Sequence, residues 1–596
     1  MFRYLALVWD AAQPAHSAAA QRLAHAWCAQ LGWEPVLTRA GVQVFILGAK
    51  AGINEASLLP GGQGVVLGKV FRRVDPGQTS PGPPALDGQD GKLILDSRGR
   101  TLVESFWGRY IAFLPTECGS TAVLRDPSGT LPCYRIVHEG VSIVFSWLED
   151  ALQLLGDSAK LAVNWDALLT HMQSGALTGR ETSLDGVTQV LPGELLNLQQ
   201  EISTLMWNPV DIARTAAMRD PDEATQALWQ QVLACTQAWA SCYDRLLVRL
   251  SGGVDSSILF SCLRPDRTDA DVLGLNYYSA GSDSDERHYA RLTAAKVGRD
   301  LLERERDPDF RVDRVLEAAR MPDPVRYVGW MNAATDAKVA SAHRASAMIT
   351  GAGGDSLFYE FPRWWPAADY LHMNGVNAGF ATVAMDAARL GKVSVWRAIS
   401  LAVKDRWRPS LSERSFVGRG TLLSPDLVQP RDRQRFDHPG LDKTDDLPIG
   451  KYMQTLALMQ PLGYYDPFER DRAPEIVNPL FSQPLVELCL RLPTFLLAQG
   501  GRGRALARRA FAADLPPQII NRRSKGGLEE HVRAVLLSNI DFVRTTLLQG
   551  QLAARQMIDR PTIEALLSGE PTALAGPNSQ LHALVAVEAW LARWSH

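Results

Sequence analysis

Arg245 to Leu250 (RLLVRL) is an apolar run of strand length, and from Ser257 to Leu263 the pattern is helical. Only Ser251, Gly252, Gly253, Val254, Asp255 and Ser256 separate them. A chain that turns from a buried strand into a helix so abruptly is committed to an α/β layout, because a helix is what returns the chain to start a parallel neighbour. The flanking pattern agrees. Glu223 to Ser241 is helical in period, Asp271 to Tyr278 (DVLGLNYY) reads as a second strand and Asp285 to Val297 as a further helix. This alternation predicts a parallel sheet covered on both faces.

The turn itself carries chemistry. Two adjacent glycines let the backbone approach a ligand, the hydroxyls of Ser251, Ser256 and Ser257 can donate to phosphate oxygens, and the helix start presents unpaired N–H groups. This is a phosphate cradle. It is not of the Walker kind, since the place of the lysine just before the helix is taken by Asp255. An acid beside phosphate is repulsive unless a cation intervenes, so Asp255 implies a bound divalent metal, magnesium first among candidates. A capped turn explains one or two of these residues. Six specified positions in seven arise by chance with a probability on the order of 10⁻⁵, which favours the ligand reading.

The first two hundred residues follow another grammar. Tyr4–Trp9, Val42–Leu47, Val65–Phe71, Lys92–Leu95, Tyr110–Leu114, Ala122–Leu124 and Ile143–Trp147 read as short strands between Gly, Pro and Asp clusters. Gln21 to Leu31 is the main helical exception, with Leu23, Trp27 and Leu31 four apart on one face. Asp75 to Gly91 is too rich in Pro and Gly for ladder or helix, and is expected as an exposed loop at a hairpin tip. Polar, poorly patterned Ala213 to Ala224 reads as a connection between domains, dividing the chain into 1–210 and 220–596. Beyond Gly354 the pattern is mostly helical.

Composition excludes several classes. With 62 basic against 65 acidic residues and a net charge of -3, the chain lacks the basic surplus that a general nucleic-acid binder needs. No apolar run reaches the roughly 18 residues of a membrane span, and the start lacks the charge pattern and cleavage site of a signal peptide. Seven scattered cysteines without CxxC spacing read as reduced, buried thiols. The expectation is a cytoplasmic protein without membrane or nucleic-acid partners.

The segment SGGVDSS resembles the pyrophosphate loop of ATP pyrophosphatases of the asparagine synthetase type, and TGAGGDSLF (Thr350 to Phe358) resembles that group's second, adenylate loop. The resemblance implies ATP as substrate, magnesium shared by Asp255 and Asp355, nucleotide phosphates held by Ser251, Gly252, Gly253, Asp255, Ser256 and Ser257, and an adenylate site lined by Thr350, Gly351 and Leu250, largely through backbone. A third element is basic. Between Arg502 and Lys525 lie six arginines and one lysine against Asp514 alone, and IINRRSKGG (Ile519 to Gly527) resembles the motif with the group's catalytic lysine, here Lys525. An ammonium there would neutralise departing pyrophosphate. Arg508 and Arg509, on a helical stretch, read as a solvated face.

FWGRYIAF (Phe106 to Phe113), RDPSGTLPCY (Arg125 to Tyr134) and TSLDGVTQVLPG (Thr182 to Gly193) resemble an amidotransferase scaffold. The implied architecture is an N-terminal Ntn-type sandwich and a C-terminal ATP-pyrophosphatase domain, the adenine nucleotide alpha hydrolase-like parallel sheet with helices. The scaffold's nucleophilic cysteine, next to the initiator methionine, is replaced by Phe2. Three residues before Asp355, where β-lactam synthetases carry a tyrosine and asparagine synthetases a glutamate, stands Ala352, which moves no proton. An α-amine has a pKa near 8, so about a tenth is neutral at pH 7 and needs little help to attack an acyl adenylate.

The run from Asn478 to Arg509 with the following LPPQIINRRSKGG resembles lasso peptide cyclases of proteobacteria. That implies macrolactam formation on a precursor peptide, with a leader peptidase and a leader-recognition protein as partners. The rival readings are amide or β-lactam formation on a small amino acid and, from another class, a catalytically silent peptide-binding scaffold. Phe358, Tyr359, Phe361, Trp364 and Trp365 read as core or as a pocket wall; Glu360 and Asp323 are candidate bases by sequence proximity alone; His171, His438 and Asp466 receive no role.

Overall fold

The structure is a computed structural model. It describes the chain except residues 51–53, 75–85, 216–217, 282–284, 308–309, 326, 407–421, 428–433, 443, 461–467, 469–473, 524–525, 528, 569–577 and 595–596. Most of the Pro/Gly-rich loop, Asp466 and Lys525 therefore lie outside the described residues.

Twelve strands are described before residue 210: β1 (Arg3–Trp9), β2 (Glu34–Arg39), β3 (Val42–Leu47), β4 (Glu55–Leu58), β5 (Val65–Arg72), β6 (Phe106–Pro115), β7 (Thr121–Arg125), β8 (Tyr134–His138), β9 (Val141–Phe145), β10 (Thr188–Gln189), β11 (Glu194–Asn197) and β12 (Ser203–Leu205). They form two antiparallel sheets, ordered β10-β8-β9-β1-β3-β2 and β12-β11-β7-β6-β5-β4. Side chains alternate along β1, as a period of two requires. Tyr4, Ala6 and Val8 enter the core between the sheets with Val65, Leu67, Ile111 and Phe113. Leu5 and Leu7 face the other way, into a core shared with the helices Pro14–Cys28 and Asn578–Ala592. The outer face of the second sheet is covered by the helices Gly88–Asp96 and Arg100–Glu104, whose Ile94, Leu102 and Val103 meet Val66, Val70, Tyr110 and Ala112. The result is a sandwich layered helix, sheet, sheet, helix.

Three readings change here. Lys92–Leu95 is helical, not a strand: Asp87 accepts from the backbone N–H of Asp90 while Asp90 accepts from that of Asp87, a capping box that starts a helix at Gly88. An apolar run of four cannot by itself separate helix from strand. The first helix begins earlier and ends at Cys28, leaving Leu31 beyond it and 99% exposed. Cys133, Cys235, Cys242, Cys262 and Cys489 are buried, but Cys28 and Cys118 are exposed, one at a helix end and the other in the β6–β7 turn. No helix among the described residues is long and apolar enough to cross a membrane.

The second half is built on five parallel strands, β13 (Arg245–Arg249), β14 (Asp271–Tyr278), β15 (Leu301–Glu305), β16 (Ala347–Ile349) and β17 (Glu475–Val477), ordered β15-β14-β13-β16-β17. Leu246, Val248 and Leu250 enter one core, Leu247 the other, so β13 is buried on both faces. The helix Pro221–Ala240 precedes it, capped by Asp220. β14 and β15 lie to one side of β13, and β16 and β17 to the other. Strand order therefore reverses between β13 and β16, and a crevice opens at the carboxyl ends of such a pair.

Candidate active site

That crevice is bounded by the loop after β13 and the loop after β16, and the two touch through glycines. Gly252 has φ of +81°, in the left-handed region, and a Cβ there would lie 2.9 Å from the Glu286 carbonyl oxygen. On the second loop, a Cβ on Gly351 would lie 3.0 Å from the Ser256 nitrogen, and one on Gly354 would lie 2.4 Å from Cγ of Asp255. The spacing of TGAGGDS thus follows from contact: side chains at those places would push the first loop and its carboxylate aside.

Within the first loop the hydroxyls hold the turn. Ser256 Oγ accepts from Ser251 N at 3.2 Å, and Ser251 Oγ accepts from Gly253 N at 3.3 Å. Gly253 starts the helix Val254–Ser261 with no side-chain cap, so the helix start faces the crevice. In the second loop, Thr350 donates its hydroxyl to Asn478 and its backbone N–H to the Val477 carbonyl, at 3.0 Å for the latter. Asp255 and Asp355 then converge on one group. Arg504, 4% exposed, donates from Nε and Nη2 to the two oxygens of Asp255 at 2.7 and 2.9 Å, contacts Asp355 through Nη2, and reaches Glu360 through Nη1 at 2.5 Å. Burial works against the charge of Arg504, but Asp255, Asp355 and Glu360 more than offset it and raise its pKa above the ordinary guanidinium value.

The resulting cavity is about 300 Å³ and is lined by Ser251, Gly253, Asp255 and Ser256 from the first loop, Thr350 to Gly353 and Asp355 from the second, and four arginines, Arg249, Arg504, Arg508 and Arg522. Arg249, Arg522 and Arg504 are paired with Asp336, Glu286 and the acids of the site, and Arg508 adds a further guanidinium to this lining, which suits an anionic ligand. Arg522 closes the rim: it donates to the Gly252 carbonyl at 3.1 Å, pairs with Glu286 and stacks over Tyr289.

The asparagine synthase family model matches residues 243–592, more than half of the 596 residues. The chain belongs to the asparagine synthase family. A search of curated proteins returns no match. Asparagine synthase members are ligases that form amide bonds using ATP, typically with magnesium, and the five-stranded parallel sheet with its helices fits the ATP-pyrophosphatase-like architecture of that family. The donor set here suits magnesium. Two hard carboxylates meet at the strand ends, and such ions take their remaining ligands from phosphate and water; among the described residues no group of three His, Cys, Asp or Glu could enclose a metal alone.

Of the residues singled out in sequence, Ser251, Gly253, Asp255, Ser256, Thr350, Gly351 and Asp355 line the cavity. Leu250 and Ser257 are fully buried: the Leu250 carbonyl accepts from Asn276 Nδ2 at 2.7 Å, and the Ser257 hydroxyl bonds that of Thr293 at 3.2 Å. Gly252 lies behind the lining against Glu286 and Tyr289. Two readings change with burial and distance, those of Arg508 and Asp323. Arg508, read as solvated, lines the cavity and spends its donors on the carbonyls of Gly503, Ile519 and Ile520; burial, then Arg502 and Arg504, push it down to about 10. Arg509 remains exposed, paired with Asp222. Asp323 accepts from Ser183, and its bonds are to the N-terminal half.

Phe358 and Tyr359 are fully buried in the main core and line no part of the cavity. Arg504 itself was missed by sequence reasoning. Its only signal was the local excess of positive charge, which does not say which arginine turns inward.

Proposed function

We propose that the chain forms a macrolactam on a processed precursor peptide, as lasso peptide cyclases do. A carboxylate oxygen of an Asp or Glu side chain attacks the α-phosphorus of ATP and pyrophosphate leaves. The peptide's own N-terminal amine then attacks the acyl carbon, AMP leaves with the C–O bonding pair, and the amine's proton passes to solvent. Asp255 and Asp355 would hold magnesium, which screens the polyphosphate charge. Ser251, Ser256 and the backbone from Gly253 onward would bind phosphate oxygens, Thr350 and Gly351 the adenylate side, and Lys525 the leaving pyrophosphate. Arg508, a half-buried cation bonded to carbonyls in its side-chain hydrogen bonds, would add a further anion contact.

The observation that carries the choice of nucleophile is Ala352. It lines the cavity between the two loops with a methyl group, where a proton-transferring side chain would serve a less reactive amine. Phe2 supports it: the ring is buried between the two sheets, 2% exposed, in place of a hydrolytic nucleophile. On this reading, residues 1–210 are an amidotransferase-like sandwich kept as scaffold and 220–596 the ATP-pyrophosphatase unit, working in the cytoplasm beside a leader peptidase and a leader-recognition protein.

The test is incubation of the purified protein with ATP, magnesium and candidate substrates. A precursor-derived peptide should release pyrophosphate and lose one water by mass spectrometry. Pyrophosphate release with a small amino acid, and none with peptide, would move the assignment to the rival ligases. Unchanged product formation by Asp255→Ala would remove the enzymatic assignment altogether.

A further inference from the structure

The guanidinium of Arg504 stands where the two acids meet, and its contacts are unusually complete. One planar fork takes both oxygens of Asp255 at 2.7 and 2.9 Å, touches Asp355 and reaches Glu360 at 2.5 Å, while the side chain is 5% exposed. All three carboxylates contact this one guanidinium. The backbone supports this aim: Arg504 has φ of +58°, left-handed for a non-glycine residue, immediately before the helix Ala505–Ala510. Gly503 makes room, since a Cβ there would lie 1.9 Å from Glu360 Oε2. The neighbouring arginines do not duplicate the role, because Arg502 and Arg508 donate to backbone carbonyls.

A bidentate guanidinium and a metal ion need the same lone pairs of Asp255. We propose that Arg504 is an exchangeable counter-cation: it clamps Asp255 and Asp355 in binding geometry, and the incoming metal–nucleotide complex must displace it. Once displaced, the guanidinium remains in the cavity that it lines, free to meet the polyphosphate that arrives with the metal. The clamp keeps the two loops in register and makes metal binding conditional on nucleotide. This rests on the reading above that the two aspartates hold the metal.

The experiment is a titration of the full-length protein with Mn²⁺, following free ion by electron paramagnetic resonance, with and without a non-hydrolysable ATP analogue. Wild type should bind Mn²⁺ weakly alone and at least tenfold tighter with the analogue. Arg504→Gln should bind Mn²⁺ at least tenfold tighter than wild type without any nucleotide. Arg504→Lys, which keeps the charge but loses the fork, should fall between them and carries the test if the glutamine variant does not fold. Asp355→Asn should weaken binding in every background. Equal Mn²⁺ affinity of wild type and the Arg504 variants without nucleotide overturns the exchange while leaving the metal site standing. No Mn²⁺ bound by wild type even with the analogue overturns the metal reading as well.

Discussion

Arg508 and Arg509 are adjacent, identical in type and opposite in fate. The first lines the cavity and is bonded to carbonyls, the second reaches out to exposed Asp222. Arg508→Ala is therefore expected to raise the KM for ATP about tenfold, roughly the 1–3 kcal/mol of one charge-assisted contact, and Arg509→Ala to stay within about twofold; steady-state pyrophosphate assays separate them. His438 shows how a residue without a site can still set a pH limit. It is buried, its Nδ1 accepts from Gly440 N, and burial, then Arg180, lowers its pKa to about 4. Its unfolded value is near 6.5, so between these values the unfolded chain binds the extra proton. The stabilisation is whole above about pH 6.5 and is lost as pH falls towards 4. His438→Gln should flatten this part of the stability–pH curve, an effect on the order of 3 kcal/mol at most, read from urea unfolding at pH 7 and pH 4.5.

β17 illustrates what an element can hide. Three residues long and more than a hundred positions after β16, it completes the parallel sheet as Glu475–Val477. Its Glu475 accepts from Lys69 on β5, Arg109 on β6, Asn54 and Tyr243, and burial pulls Lys69 down to about 8 despite that partner. The strand is thus fastened to the N-terminal sandwich, and Asn478 next to it holds Thr350 of the second loop. Glu475→Ala would leave two buried cations without their carboxylate, a loss of about 3–5 kcal/mol, measurable by chemical denaturation. A second change, Lys69→Met, should recover part of it by removing one of those charges. Sequence period could not locate such a strand, since three residues are too few for alternation to be recognised and its pairing partner is remote. β13, two residues longer and followed by its loop, was by contrast legible.

At the scale of the molecule, the two halves share their interiors. Phe71 and Trp107 of the sandwich stack on each other and meet Trp239 of the helix before β13, with centroids 4.6 to 6.1 Å apart, while Leu5 and Leu7 share a core with the last helix. Arg73 and Trp207 both donate to Glu487 across the same seam. Trp239→Ala should therefore cost about 3–5 kcal/mol and lower the melting of both halves together. Calorimetry resolving two independent transitions in the intact chain would contradict that coupling. The polar stretch near residue 215 reads in sequence as a connection between domains; in the structure Arg214 is paired with Asp446 and Ala224 lies in the main core.

Chemistry that neighbours in the chain can carry between them is readable from the residues alone. A strand, two glycines and a helix start within a dozen residues mark out a loop that can face an anion, and Phe2 and Ala352 are legible position by position. It took the folded chain to show which of several arginines turns inward, that Ser257 packs while Ser256 lines the cavity, and that Asp255, Asp355 and Arg504, separated by up to 249 positions, meet at one point. The reason is physical: hydrogen-bond reach is about 3 Å, and which groups come that close is set by the packing of strands and helices on shared cores, which no local pattern encodes.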